Sequence, residues 1–251
     1  MKRLSTAALL AALLYLTGCG AAQPPGPDQS ADPDPAPARL VVLDPGHQAH
    51  ADTTPEPIGP GASETKMRVT GGAVGVATGT PEHELVLAVA QQLRTELEGR
   101  GYAVLLTREE ADVDLSNRER AVFANEAGAD VFLRLHANGS TDPTAHGAMT
   151  ICPTAESPYP IGARYAECRL LADCVLDAVT EAAGAARDRL WETDSMTGLN
   201  WAEVPTTLVE LGYLTDPDED RLLGDPAYQA KLVVGLADGI DRYFATPEKS
   251  E

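Results

Sequence analysis

The sequence is short of cations. Across 251 residues it carries 19 Lys and Arg against 38 Asp and Glu, a formal net charge of −19. A field of that sign repels nucleic-acid phosphate and anionic lipid surfaces, which sets both aside as primary partners. Cysteine is scarce too: there are four, with no C-x-x-C pair to build a cysteine zinc site. No internal repeat is visible. The one strongly apolar leader run, Ala7 to Leu16, falls short of the roughly 20 residues that a spanning helix needs.

That run is an export signal rather than part of the fold. Lys2 and Arg3 precede it and Leu16-Thr17-Gly18-Cys19 closes it, so residues 1–18 read as a signal peptide. The closing tetrapeptide resembles the bacterial lipobox, which implies cleavage before Cys19 and lipidation of that cysteine. The membrane is then a partner through the N-terminal lipid anchor only. Residues 19–38 comprise this cysteine and the stretch GAAQPPGPDQSADPDPAPA, which cannot form a core and reads as an extended tether. Cys152, Cys168 and Cys174 remain. Their odd number leaves at least one thiol free, and they are expected as small buried hydrophobes with at most one bridge.

The pattern changes at Arg39, and residues 39–247 read as one domain, with 248–251 a tail. Hydrophobic residues make up 43% of the chain, enough for a core. Leu40–Asp44 reads as a buried strand. Residues 48–79, rich in Gly, Pro, Thr and Ala, read as a long surface loop. Thr80-Pro81-Glu82 is a helix start, with Thr80 as N-cap and Pro81 at the first helical position. Val86, Ala90, Leu93 and Leu97 then share one face. Further strands are expected at 102–107, 131–136, 148–152 and 206–210, and helices at 115–127, 164–183 and 228–244. This alternation predicts an α/β fold: a three-layer sandwich whose mostly parallel twisted sheet is flanked by helices.

Three residues stand at corresponding places. His47 follows the first strand through Asp44-Pro45-Gly46, His136 closes VFLRLH, and Glu210 closes TTLVE. Sites in open α/β sheets gather beyond the carboxyl ends of strands. Glu82 joins them if its helix points the same way. Each has a plain structural reading: a turn residue, a core histidine, an acid on a helix dipole. Glu210 resists one, because an unpaired carboxylate in an apolar run is costly. Together they offer the ligand types that zinc takes in open catalytic sites, with a carboxylate to spare as base.

VVLDPGHQ, PEHELVLAVAQQL, LSNRERAVFANEAGADVFLRLHANG and VPTTLVELGYLTDPDEDRLL, in this order between Leu40 and Phe244, resemble the zinc-dependent N-acetylmuramoyl-L-alanine amidases of bacterial peptidoglycan. The resemblance implies Zn²⁺ as cofactor, held by His47, Glu82 and His136, with Glu210 catalytic and peptidoglycan as substrate. It also implies an enzyme facing the cell wall, and an activator protein is compatible with it. Gln48 departs from the glycine that often follows the first histidine in the family. Asn138 and Trp201 are candidate substrate contacts, against a turn and a packing role respectively. Arg120 is expected to brace its helix, and Arg134 to pair with an acid near the site. His50, His83, His146 and Glu84 are expected to stand apart. Two other functions stay open at this point: a zinc peptidase on a similar sheet, and a tethered wall-binding lipoprotein without activity.

Overall fold

The computed structural model describes residues 38–247. The expected signal peptide, Cys19, the expected tether up to Pro37 and the tail 248–251 lie outside the described residues. β1 (Leu40–Pro45) and β5 (Val131–Asn138) are buried almost throughout, as parallel strands covered on both faces must be. Between them run β2 (Asp52–Pro57), β3 (Thr65–Val69), α1 (Glu82–Gly99), β4 (Ala103–Leu106) and α2 (Asn117–Glu126). After them come β6 (Ala148–Cys152), α3 (Tyr165–Ala183), β7 (Arg187–Glu192), α4 (Thr197–Asn200), β8 (Thr206–Tyr213), α5 (Pro217–Leu223) and α6 (Pro226–Ala245).

Six strands form one sheet in the order β4-β1-β5-β8-β6-β7. The first four are parallel, while β6 runs antiparallel to β8 and carries β7 with it. One face meets α1, α3 and α6, whose Val86, Leu93, Leu171, Val175, Leu236 and Ile240 join Val41, Leu43, Leu133 and Leu135 in the main core. On the other face, Val42 and Phe132 pack with Ala121 and Ala124 of α2. Leu208, Met149 and Ile151 pack there against Leu199 of α4. The three-layer α/β reading therefore holds. No helix among the described residues is long and apolar enough to cross a membrane.

Three expectations need correcting. The stretch 48–79 is not all loop, because β2 and β3 pair as an antiparallel hairpin within it. The N-cap of α1 is Pro81 rather than Thr80. Pro81 is extended at φ −69°, ψ 142°, so Glu82 becomes the first helical residue. The edge strand β7 was not anticipated, since Arg187–Glu192 is polar and largely exposed. The three cysteines are all free thiols, so the one allowed bridge does not form. Burial pushes the Cys152 and Cys168 thiols up to about 12.

Candidate metal centre

The chain leaves β1 in one direction, through α1 to β4, and returns through α2 to β5 on the opposite side of β1. That reversal opens a crevice between the carboxyl ends of β1 and β5. His47 stands just past the end of β1, and His136 near the end of β5. Glu210 lies in register with His136 on the neighbouring β8. Period-2 alternation puts Asp44, Arg134, His136, Leu208 and Glu210 on the α2–α4 face.

Three side chains converge there. His47 Nε2 lies 3.1 Å from Glu82 Oε1, His136 Nδ1 lies 3.0 Å from the same oxygen, and the two nitrogens are 3.1 Å apart. His47 Nδ1 sits 2.9 Å from the Thr70 carbonyl, an acceptor only, so this nitrogen carries a proton and Nε2 is the ring atom turned toward Glu82 and His136. Glu82 is held on both oxygens: Oε1 accepts from the Ala137 amide at 3.0 Å and Oε2 from the Ala73 amide at 2.8 Å. Burial alone would raise the pKa of Glu82. The hydrogen bonds and charges of His136 and His47 outweigh it and keep the carboxyl well below its ordinary range. Burial pushes His136 down to about 4, against the pull of Glu82, so the ring is neutral at pH 7.

The donor set fits a divalent cation. Two imidazole nitrogens and a carboxylate oxygen crowd into one spot. Donor atoms of a tetrahedral zinc site, each ~2.0–2.1 Å from the ion, stand about 3.3 Å apart, close to the spacing here. The Thr70 carbonyl on the far nitrogen of His47 is the outer support that metal-bound histidines typically have. Beside this set, Glu210 Oε2 is buried without a hydrogen-bond partner. Burial raises the Glu210 pKa well above the usual carboxylate range; the Glu82 charge adds to this, and Arg134 offsets part of it.

A buried charge network holds the turn that carries His47. Asp44 Oδ1 accepts from Arg120 Nη1 at 2.9 Å and from the Thr107 hydroxyl at 2.6 Å, and Oδ2 accepts from Arg134 Nε at 2.8 Å. Burial would raise its pKa, but Arg120 and Arg134 drive it far below the ordinary value. Arg120, wholly buried, also donates to the Pro45 and His47 carbonyls and to Gln48 Oε1. It thus braces the ligand turn, whereas the sequence pattern assigns it to bracing its own helix. Gln48 is not a loose substitute for glycine either: its carboxamide joins Arg120 to the Leu115 amide. Arg134 reaches on to Asn117 Oδ1 and has its expected acid in Asp44. His47 itself is left-handed at φ 56°, the one non-glycine residue so placed among those described. Gly46 allows the close approach, since a Cβ there would stand 2.2 Å from His136 Cε1.

The remaining candidates divide. Asn138 lies half-buried beyond His136 on the same strand face, with its amide against Met149 Sδ at 3.6 Å. Trp201 donates to the Pro57 carbonyl, carries Arg118 over its ring at 4.2 Å, and packs with the second core cluster. The Trp201 contacts are packing contacts. His50 and His146 are exposed, and neither they nor His83 or Glu84 joins the metal set. The sequence reading missed Arg108, Thr70 and Ala73. For Arg108 the available signal was a cation directly after an apolar strand; Thr70 and Ala73 act through their backbones and leave no side-chain signal.

The family profile described as N-acetylmuramoyl-L-alanine amidase matches residues 41–242. The N-acetylmuramoyl-L-alanine amidase AmiA of Escherichia coli strain K12 is 28% identical over 241 residues, covering 82% of this chain and 76% of that protein. The crystal structure of apo N-acetylmuramyl-L-alanine amidase Ami1 from Mycobacterium abscessus superposes with a TM-score of 0.73 at 26% identity, covering 82% and 99% of the two chains. Ami1 from Mycobacterium smegmatis shares the fold with a TM-score of 0.74 at 24% identity, covering 83% and 98%.

Asp44→Asn removes the one carboxylate between two buried guanidinium groups. Breaking a buried pair in this way costs about 3–5 kcal/mol, to be read from urea unfolding at pH 7. Because folding depresses the Asp44 pKa, its contribution is present above the unfolded value of about 4 and is lost as pH falls. The gap between wild type and variant should therefore narrow between pH 5 and pH 2. An unchanged midpoint at pH 7 contradicts the assignment.

Proposed function

The chain belongs to the N-acetylmuramoyl-L-alanine amidase family, and on that premise we propose a zinc-dependent enzyme. It hydrolyses the amide between the lactyl group of N-acetylmuramic acid and the L-alanine of the peptidoglycan stem peptide. The observation that carries this reading is the meeting of three electron-pair donors at 3.0–3.1 Å, with a buried, unpartnered carboxylate oxygen beside them.

His47 Nε2, Glu82 Oε1 and His136 Nδ1 would hold the ion. Bound there, Zn²⁺ would supply Lewis acidity, bringing the pKa of water toward neutrality and polarising the scissile carbonyl. Glu210 moves the proton. Burial raises its pKa above the usual carboxylate range, the direction that suits a group which first accepts and then returns a proton. Glu210 Oε2 takes the proton from the attacking water and delivers it to the alanine nitrogen as the C–N bond breaks. Arg134, fixed by Asp44 and Asn117, limits how far the Glu210 pKa rises. Asn138, on the site face of β5, is available to hydrogen-bond the stem peptide.

The leader pattern and Cys19 support an extracytoplasmic enzyme tethered by lipid at that residue and held off the membrane by residues 20–38.

Glu210→Gln removes the proton carrier and leaves the ligand set intact. Turnover of purified peptidoglycan should fall by at least ~10²–10⁴-fold, while metal analysis still finds one zinc per chain. A variant with near-normal rate, or one without its metal, contradicts the assignment. Cys19→Ala should move the protein from the detergent phase to the aqueous phase in phase partitioning. Unaltered partitioning refutes the lipid anchor.

A further inference from the structure

Arg108 is a buried charge that the proton transfer does not use. It follows β4 and Thr107 and is only 3% exposed. Among the described residues it makes no ion pair. Asp44, the acid whose charge reaches it, is already bridged to Arg120 and Arg134. All its hydrogen bonds go to neutral backbone carbonyls. Nε donates to Pro45 at 2.9 Å, Nη2 to Gly46 at 2.9 Å and to His83 at 2.7 Å, and Nη1 to Glu110 at 3.1 Å.

A buried cation without a counter-ion is costly, and a neutral side chain would fill the space without that cost. The acceptors show what the charge achieves. Pro45 and Gly46 form the turn directly before His47. His83 follows Glu82 in the first turn of α1. Glu110 belongs to the loop after β4. The ligand side chains themselves aside, Arg108 is the one side chain among the described residues that bonds to both the His47 turn and the first turn of α1. A guanidinium is planar, with its donors at fixed angles, so bonds to both segments fix their separation as well as their contact.

His47 and Glu82 need such a tie. They are far apart in sequence, on a loop and a helix, yet their donor atoms must stand 3.1 Å apart. Arg120 does not supply it: it grips the Pro45 and His47 carbonyls from α2 and has no bond to α1. We propose that Arg108 is a positioning residue whose guanidinium sets the spacing of His47 and Glu82, and so how tightly the ligand set closes on a metal ion. This rests on the reading above that His47, Glu82 and His136 hold zinc.

The test uses the full chain as wild type, Arg108→Gln, Arg108→Lys and Arg100→Gln. Arg100 serves as a matched control: it pairs with Glu96, Asp238 and Asp241 at the opposite end of α1. Three quantities are measured: Zn²⁺ affinity by competition with a chromophoric chelator, the melting temperature of the metal-free protein, and kcat and KM on peptidoglycan fragments. Arg108→Gln should weaken Zn²⁺ binding by roughly 10–100-fold and lower kcat more than it changes KM. Arg108→Lys should recover only part of this, because an ammonium group keeps the charge but not the fork. Arg100→Gln should lower the melting temperature and leave Zn²⁺ affinity at the wild-type value. Wild-type affinity and kcat in Arg108→Gln, with only the melting temperature reduced, overturns the proposal and makes Arg108 a purely structural residue. If Arg108→Gln fails to fold, Arg108→Lys decides, and wild-type affinity there overturns it. A wild-type chain that binds no zinc defeats the ligand reading itself, and this proposal with it.

Discussion

Asp44 is a carboxylate with no exposed surface, gripped by Arg120 on one oxygen and by Arg134 on the other. Burying these charges gains little stability by itself, because desolvation offsets much of the attraction. What the arrangement secures is geometry. Asp44 sits on β1, Arg120 on α2 and Arg134 on β5, so a single carboxylate locks three elements at the crevice. Arg120 then reaches the Pro45 and His47 carbonyls and holds a left-handed histidine, a conformation that costs of order 1–3 kcal/mol unless its surroundings impose it. This network thereby positions two of the three proposed ligands, His47 through its turn and His136 through its strand.

The sheet does the rest. β1, β5 and β8 are adjacent and parallel, so residues at their carboxyl ends fall side by side without any long-range search by loops. Glu82 comes from outside the sheet. It enters because Pro81 stays extended and leaves Glu82 at the first helical position, with the Ala73 and Ala137 amides on its two oxygens. Alternation along the strands sends Arg134, His136, Leu208 and Glu210 to the face that α2 and α4 cover. The opposite face carries the three long helices and most of the apolar core, which leaves the sparsely covered face for chemistry.

Most of the site was legible in the sequence because each member ends or follows a recognisable element. His47 follows a strand and an Asp-Pro-Gly turn, His136 and Glu210 interrupt apolar strands, and Glu82 follows a proline at a helix start. What was illegible lies in residues that act through the backbone or through partners distant in the chain. The segment 48–79 reads as a loop because it is rich in Gly, Pro, Thr and Ala without a clear period, yet β2 is an isolated hairpin arm on which Pro55 and Pro57 are tolerated. β7 hides because an edge strand need not be apolar. Arg120 reads as a helix residue from its local pattern. Only the fold reveals that its charge points at a turn more than seventy residues earlier.

The central claim is that these residues form a metal-dependent amidase centre with one scissile bond. Mass spectrometry of peptidoglycan fragments tests it most directly, after incubation with the protein as loaded with zinc, stripped by chelator, and restored with zinc. The account predicts intact stem peptides with free L-alanine amino termini in the loaded and restored samples, and none in the stripped one. Shortened stem peptides, or release that persists without metal, would contradict it.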